Sequence, residues 1–484
     1  MTRLHLLLYA LFSLFLQSNT MATAPIDDRD TEWGRVVEEK QPERKRVCPS
    51  GAEPDEFVEI AIIGGGLVGL AVALGLQQRN IGPFKIYERA PQLRSQSQGI
   101  LSLQPNGQRA LEELHPDILP RVKERGCERL YLRRTNYNEQ GSVVDDATAP
   151  SGDNKFVATY GRRKVGMTWH NMQLVLSSLL PEHLIETNRS LQQFQEHDDH
   201  TLLYFDNGSV VKAKVIIACD GVFSVARRQL YDEDSPIYFG QLNWATIIET
   251  TKLPPNVYAP HTVRYLSYAG EPRWMSMLND GGSGWTFWQL RIADQKKAMA
   301  LSGNKGRGGL GLPGVKNTLL SMIEHTIDNS SDLYQAVQAI PEEQIFERAI
   351  VGRTRLTNWL SPGGRLVLVG DAAHGMHPNI GQGANQGFES AYAVVQMLDQ
   401  HDDYKVALEE FQRIRKPRAD LVQTFANAMG ILQATGQEML SQEAMQEMMH
   451  WILLNDPTLE PPADVVDLLG TFDPFEQPGV SPLW

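Results

Sequence analysis

Apolar positions along the chain follow two rhythms. Largely unbroken apolar runs occur in "VEIAII" (Val58 to Ile63), in "AKVIIA" before Asp220 and in "GRLVLVG" before Asp371. Short runs of this kind read as parallel strands buried on both faces. The first leads through glycines into the apolar helical stretch "LVGLAVALGLQQR", and a further strand, "FKIYER", ends at Glu88. The other rhythm fills Ile237 to Asp294, where "YFGQLNWATIIETT", "HTVRYLSY", "RWMSMLN" and "GWTFWQLRIAD" alternate between turns. Alternation predicts an antiparallel sheet. The expected class is α/β: a Rossmann-like unit, an inserted and mostly antiparallel sheet, and a helical C-terminal part.

The strand ends carry the candidate chemistry. Gly64, Gly66 and Gly69 satisfy G-x-G-x-x-G at a strand-to-helix junction. Glycine there permits a tight turn, lets backbone approach a pyrophosphate, and lets helix and strand pack closely. The phosphate then meets a helix N-terminus, whose free N–H groups and dipole favour negative charge. Glu88, closing the next strand, is placed to accept hydrogen bonds from both ribose hydroxyls. Together these predict an adenine dinucleotide without choosing between NAD and FAD. Asp371 chooses FAD, because its carboxylate can meet a ribityl hydroxyl that NAD lacks. The following "PNIGQGANQGFES" has few bulky side chains and opens a helix. Its N-terminal amides suit the flavin pyrimidine, where negative charge develops on reduction. Gly381, Gly383 and Ala384 leave backbone bare enough for an isoalloxazine ring to lie on it. Asp220-Gly221 ends the third strand and turns into a helix with Arg227.

Composition removes other readings. A net charge of −13 argues against a nucleic-acid binder, which needs clustered Lys and Arg. Cys48, Cys127 and Cys219 form neither a metal pattern nor a disulfide framework, so no metal is expected. The run Gly303 to Lys316 is glycine-rich but lacks G-K-[ST], and reads as a flexible loop. At the N-terminus, Arg3, the apolar core Leu4 to Leu16 and small residues at Ala22 to Ala24 resemble a secretory signal or an organelle address. That core is short for a membrane span, and no stable span is expected in the mature chain. An ER-derived or organelle compartment is the expected location; translation from Met21 and a cytoplasmic protein is the alternative.

The ordered set Gly64/Gly66/Gly69 with Glu88, "CDGVFSVAR" and "GDAAHGMHPNIGQGANQGFES" resembles the group A FAD-dependent monooxygenases, typified by p-hydroxybenzoate hydroxylase. The resemblance runs from about Val58 to Thr424. It implies a GR2-type FAD-binding unit over 56–235 and 345–425, a substrate-covering sheet over 236–344, and a C-terminal extension over 426–484. A leader over 1–24 and a linker over 25–55 precede them. It further implies that Asp220 and Gly221 serve both FAD and the pyridine nucleotide, and that Asp371 contacts the ribityl chain. Pro378 would lie beside the ring, Gly383 to Asn385 would offer amides to it, and Gly99 would mark a close passage of the chain. Many relatives have Arg where Trp169 stands, so either Gln173 takes over a flavin contact or Arg162 or Arg163 reaches in. His170, His374 and His377 read as packing or hydrogen-bonding groups.

The implied reaction uses FAD, NADPH or NADH, and O2. A flavin C4a-hydroperoxide would hydroxylate or epoxidise an apolar, aromatic or alkene-containing small molecule. In the resembled family this sheet covers the substrate, so Trp244, Tyr265, Trp274, Met275, Met277, Trp285 and Trp288 would offer an apolar lining, although for most of them plain sheet core is the expected role. No catalytic acid or base is identifiable, and oligomeric state is not legible. The alternatives are another flavoenzyme of this fold (oxidase, dehydrogenase or halogenase) and an inactive flavin-binding scaffold. The halogenase signature Trp-x-Trp-x-Ile-Pro is absent; the Trp-rich strand reads "GWTFWQL".

Overall fold

The computed structural model describes residues 53–482 apart from 94–98, 232–234, 295, 297–299, 303–308, 436–439, 457 and 478–479. The leader, Cys48, most of the linker and the start of the glycine-rich run therefore lie outside the described residues.

The unbroken apolar runs form the centre of one seven-stranded sheet. Glu56–Ile63 pairs in parallel with Phe84–Tyr87 on one side and Val210–Ala218 on the other, and Leu366–Leu368 pairs in parallel with Val210–Ala218. The register sets Ile63 beside Tyr87 and Ala218, and Ala218 beside Leu368. Parallel strands in register end together. Hence the turns bearing Gly64, Glu88, Asp220 and Asp371 open on one edge, the carboxyl edge where ligands of open α/β sheets bind. The helix Leu67–Gln78 packs behind the first turn with most of its residues buried, as its all-round apolar sequence requires.

The alternating segment forms a second, nine-stranded sheet. It is antiparallel except where Thr262–Tyr268 pairs in parallel with Tyr131–Tyr137. Its membership is wider than the segment 236–344. Tyr131–Tyr137 and Val143–Pro150 extend one side, Phe346–Gly352 joins the other, and Ser481–Pro482 pairs with Ile237 and Tyr238. The C-terminal part is helical: Tyr404–Thr435, Gln442–Leu454 and Ala463–Gly470. Its apolar faces form a separate core around Val422, Phe425, Met448 and Ile452 that also takes in Tyr160 and Ile380. Among the described residues no helix is long and apolar enough to cross a membrane.

Candidate active site

The three motif glycines stand for three different reasons. Gly64 has φ +104°, and a Cβ there would lie 2.5 Å from the Cys219 carbonyl oxygen. A Cβ at Gly69 would lie 2.0 Å from the Gly64 carbonyl oxygen, so this glycine lets helix and strand touch. At Gly66 the backbone is extended, with φ −74° and ψ −178°, and a Cβ would meet nothing within 4 Å. Only Gly66 faces open space, at the helix N-terminus where a phosphate would sit. Glu88 is buried and already organised: one carboxylate oxygen accepts from the Gly65 N–H at 2.7 Å, the other from the Ala90 N–H at 2.9 Å. Gln173, also buried, donates from Nε2 to the Gly65 carbonyl at 2.9 Å and so braces the same turn.

Arg162 and Arg163 do not come to this turn. Arg162 pairs with Glu112 at 2.9 Å, and Arg163 donates to the Gly152 carbonyl at 2.9 Å. Trp169 is half-buried against the core of the first sheet, and its N–H donates to the Gly99 carbonyl at 3.0 Å. Of the alternatives at the departure from the family pattern, Gln173 is the one the structure brings near the cofactor turn.

Asp220 accepts from the N–H groups of Val225 (2.7 Å) and Ala226 (3.3 Å), anchoring the helix Val225–Leu230. Its other oxygen, Oδ1, is buried without a protein partner, and burial raises its pKa. The same helix supplies a residue whose role was not evident beforehand. Arg227 is fully buried and donates to the carbonyls of Ala372, Ala373 and Thr354 at 3.2, 3.0 and 2.9 Å. It thereby fixes the short helix Asp371–His374 that carries the third acid. Asp371 keeps an accessible side chain yet has a raised pKa from burial. Val68 of the phosphate helix stands 3.0 Å from a Cβ built on Gly370 and 2.6 Å from one built on Gly387, so the first and third motifs close on each other.

Beyond Asp371 come the turn Pro378–Ile380, Gly381 at φ +64°, and the helix Gly383–Gln400. The first N–H groups of that helix, on Gly383, Ala384 and Asn385, have no carbonyl within the helix to bond. The Asn385 side chain is occupied: Oδ1 accepts from the Gln104 N–H at 2.8 Å, and Nδ2 donates to the carbonyls of Ser102 (2.9 Å) and Gly381 (2.8 Å). It holds the floor in place. A Cβ at Gly221 or Gly383 would meet nothing within 4 Å. Open space at Gly66, Gly221 and Gly383, an unpartnered carboxylate oxygen on Asp220, and acids at Glu88 and Asp371 fit the chemistry of FAD.

His374 and His377 are both fully buried. Burial lowers the His374 pKa to about 3, and its Nε2 lies 2.9 Å from the Ser390 hydroxyl. The pKa of His377 is also lowered well below the usual range by burial, and its Nδ1 accepts from the Asn379 N–H at 3.1 Å. Both are neutral framework groups. His170 lies on the helix Trp169–Ser177 and is half-buried.

A chamber of about 380 Å³ adjoins the floor, lined on one side by Pro378 to Gly381 and on another by the second sheet. The expected lining changes here. Tyr265, Met275 and Met277 face the chamber, but Trp244, Trp274 and Trp288 are buried in the core on the opposite sheet face. Trp285 is half-buried and not in the lining. Side chains alternate across a strand, so Trp274 and Trp288 cannot share a face with Met275, Met277, Phe287 and Gln289. In their place stand polar and cationic residues, Arg134, Asn136, Gln289, Arg291 and Arg348. The far wall comes from Lys155, Phe156 and Tyr160, with Met449 and His450 of the C-terminal helix. The Tyr160 hydroxyl and His450 Nδ1 lie 3.0 Å apart.

The fold and these acids and glycines define an FAD-binding protein. The family described as "FAD binding domain" matches residues 323–426. Zeaxanthin epoxidase, chloroplastic, of Spinacia oleracea is 25% identical over 403 residues, covering 80% of this chain and 56% of that protein. The 3-amino-4-hydroxybenzoate 2-monooxygenase of Streptomyces cremeus is 27% identical over 369 residues, covering 75% of this chain and 84% of that one. The crystal structure of Klebsiella pneumoniae HpxO complexed with FAD and uric acid superposes with a TM-score of 0.64 at 18% identity, covering 87% of this chain and 97% of that chain. The chain thus spans little more than half the length of the spinach epoxidase and most of the bacterial relative. The protein is a flavoprotein relative of the FAD-dependent monooxygenases, with FAD as its cofactor.

Proposed function

We propose that this protein is an FAD-dependent monooxygenase that takes electrons from NADPH or NADH and places one atom of O2 on a small organic molecule. The observation that carries the reading is the chamber fronting Pro378 to Gly381, the stretch read as the flavin floor. Bound flavin supplies electron transfer and oxygen activation; the chain supplies position. Glu88, braced against the phosphate turn, holds the adenosine ribose, and Asp371 the ribityl chain. The N–H groups of Gly383 to Asn385 face the ring's electron-rich edge, where a helix N-terminus favours developing negative charge. Asp220 and Gly221 border the groove where the pyridine nucleotide would approach. The second sheet and the helix Gln442–Leu454 wall the substrate from water, which matters because hydrolysis wastes the reductant.

The test is direct. The purified protein should be yellow with non-covalent FAD, and NAD(P)H oxidation should rise on adding an accepted substrate, with one oxygen from labelled O2 in the product. A colourless protein that binds NAD alone would overturn the assignment. The leader reading is part of the proposal and is supported only by its sequence pattern. N-terminal sequencing of the mature protein should find a start near Thr23 to Asp27, whereas a start at Met1 or Met21 in the cytosolic fraction would refute it.

A further inference from the structure

The chamber is far more cationic than a site for a neutral apolar molecule needs to be. Six cations line it (Arg129, Arg134, Lys155, Lys164, Arg291 and Arg348) against one acid, Asp153. That acid is engaged elsewhere: it caps the helix Asn154–Tyr160 by accepting from the Phe156 N–H at 2.9 Å. Two of the cations also have other partners. Arg129 donates to the Ser102 hydroxyl at 2.6 Å, and Lys164 lies 5.2 Å from the centre of the Phe156 ring.

The side chains of Arg134, Arg291 and Arg348 form no hydrogen bond or ion pair among the described residues, and Arg291 Nε is buried without a partner. Sheet register sets Arg291 and Arg348 in one row and Arg134 in the next. One row runs Leu132, Val263, Asn279, Phe287; the next runs Arg134, Tyr265, Met277, Gln289; the third runs Asn136, Ser267, Met275, Arg291, Asn243, Arg348. All project from one face, because each row is offset from the last by two residues. The face therefore grades from apolar at one end, where Ile100 packs on it, to cationic at the other. Burial lowers the pKa of Arg291 to about 10, with the neighbouring Arg348 adding to the effect, yet both remain charged at neutral pH. Asp145 acts on Arg134, but no acid among the described residues acts on Arg291 or Arg348; desolvated guanidinium groups without a counter-charge are costly, and planar forks of this kind match oxoanions in two-pronged geometry.

We infer that the substrate is an amphiphilic organic acid, whose carboxylate or equivalent oxoanion is held by Arg291 and Arg348 while its apolar body lies along Leu132, Val263 and Phe287. This rests on reading the chamber as the substrate site of the proposed reaction.

The test titrates the purified holoenzyme by calorimetry with cinnamate and with octanoate, each beside its amide, so that the readout needs no turnover. The acids should bind about 10- to 100-fold tighter than the amides, and the margin should shrink as salt rises. Arg291→Gln and Arg348→Gln should each erase most of the margin by weakening acid binding, leaving amide binding and FAD content unchanged. The second variant guards against misfolding of the first. Equal affinity for acid and amide, no binding of either acid, or an intact margin in both folded variants would overturn the inference. Acid preference in a protein that consumes no NAD(P)H would instead defeat the monooxygenase reading and leave this one standing.

Discussion

Single glycines separate shape from ligand. Gly69→Ala puts a methyl 2.0 Å from backbone and should cripple folding. Gly66→Ala puts one into open space on an extended backbone, so the protein should fold with unchanged circular dichroism and melting but lose FAD on gel filtration. If both variants keep FAD, the turn does not hold the pyrophosphate. Asp371→Ala should likewise leave the fold intact while weakening FAD about 10- to 100-fold, the effect of losing a charged hydrogen bond. Reconstitution of apoprotein with FAD measures it, and unchanged affinity would show that the strand-end acid has been misassigned. These residues were legible in the sequence because their function forces a local pattern. Arg134, Arg291 and Arg348 were not, although the alternation in "YLRRTNY" and "WTFWQLRI" offered the signal. Trp244, Trp274 and Trp288 take the sheet-core role expected for most of the bulky residues, since large aromatic residues serve a sheet core as readily as a pocket.

At the level of elements, the helix that carries the flavin floor is tied to its neighbour by a buried ionic knot. Glu389 is nearly inaccessible; it lies 2.8 Å from Arg418 and 3.4 Å from Arg415, and accepts from Asn106 at 2.6 Å. Burial alone would raise its pKa, but Arg418 and Arg415 outweigh it and hold the group at about 2. Arg415 is itself pulled down to about 10 by burial, so it and Glu389 are both ionised at neutral pH. A depressed carboxylate stabilises the fold above its unfolded pKa, near 4.5, and loses that contribution as pH falls through about 2. Glu389→Gln, which leaves two buried cations unmatched, should cost about 3–5 kcal/mol at pH 7. Urea unfolding should show the gap to the parent narrowing from pH 4 downward; a gap independent of pH would mean that Glu389 is not charged in the fold. Sequence alone exposed none of this, because the partners come from helices brought side by side only by packing. Arg227 belongs to the same class. Its position in "CDGVFSVARR" was visible, but not the three carbonyls it holds.

On the scale of the whole molecule, the parallel sheet and the inserted sheet were readable from hydrophobic rhythm. The recruitment of Tyr131–Tyr137, Val143–Pro150 and Ser481–Pro482 into the second sheet was not. Those pairings join distant segments, and no local period announces a partner. The same holds for the C-terminal helices, whose Met449 and His450 complete the chamber. Truncation before Ser441 should therefore yield a protein that binds FAD yet oxidises NAD(P)H wastefully, releasing hydrogen peroxide in place of oxygenated product. Peroxide assays alongside product analysis check it, and unchanged coupling would remove the helix from the chamber's function.

The pair Arg291 and Arg348 also has a bearing on heat. A folded state that confines mutually repelling cations forgoes stability that a neutral lining would keep, a cost commonly met at functional sites. Organic acids should accordingly act as thermal protectants, since a ligand bound only by the native state contributes about 2.7 kcal/mol at a concentration of 100 Kd. Arg348→Gln should melt about 2–4 °C above the parent and gain nothing from added acid. Scanning calorimetry with and without cinnamate would separate the two proteins, and a variant that melts lower and still responds to the acid would show that the arginines hold the sheet rather than await an anion.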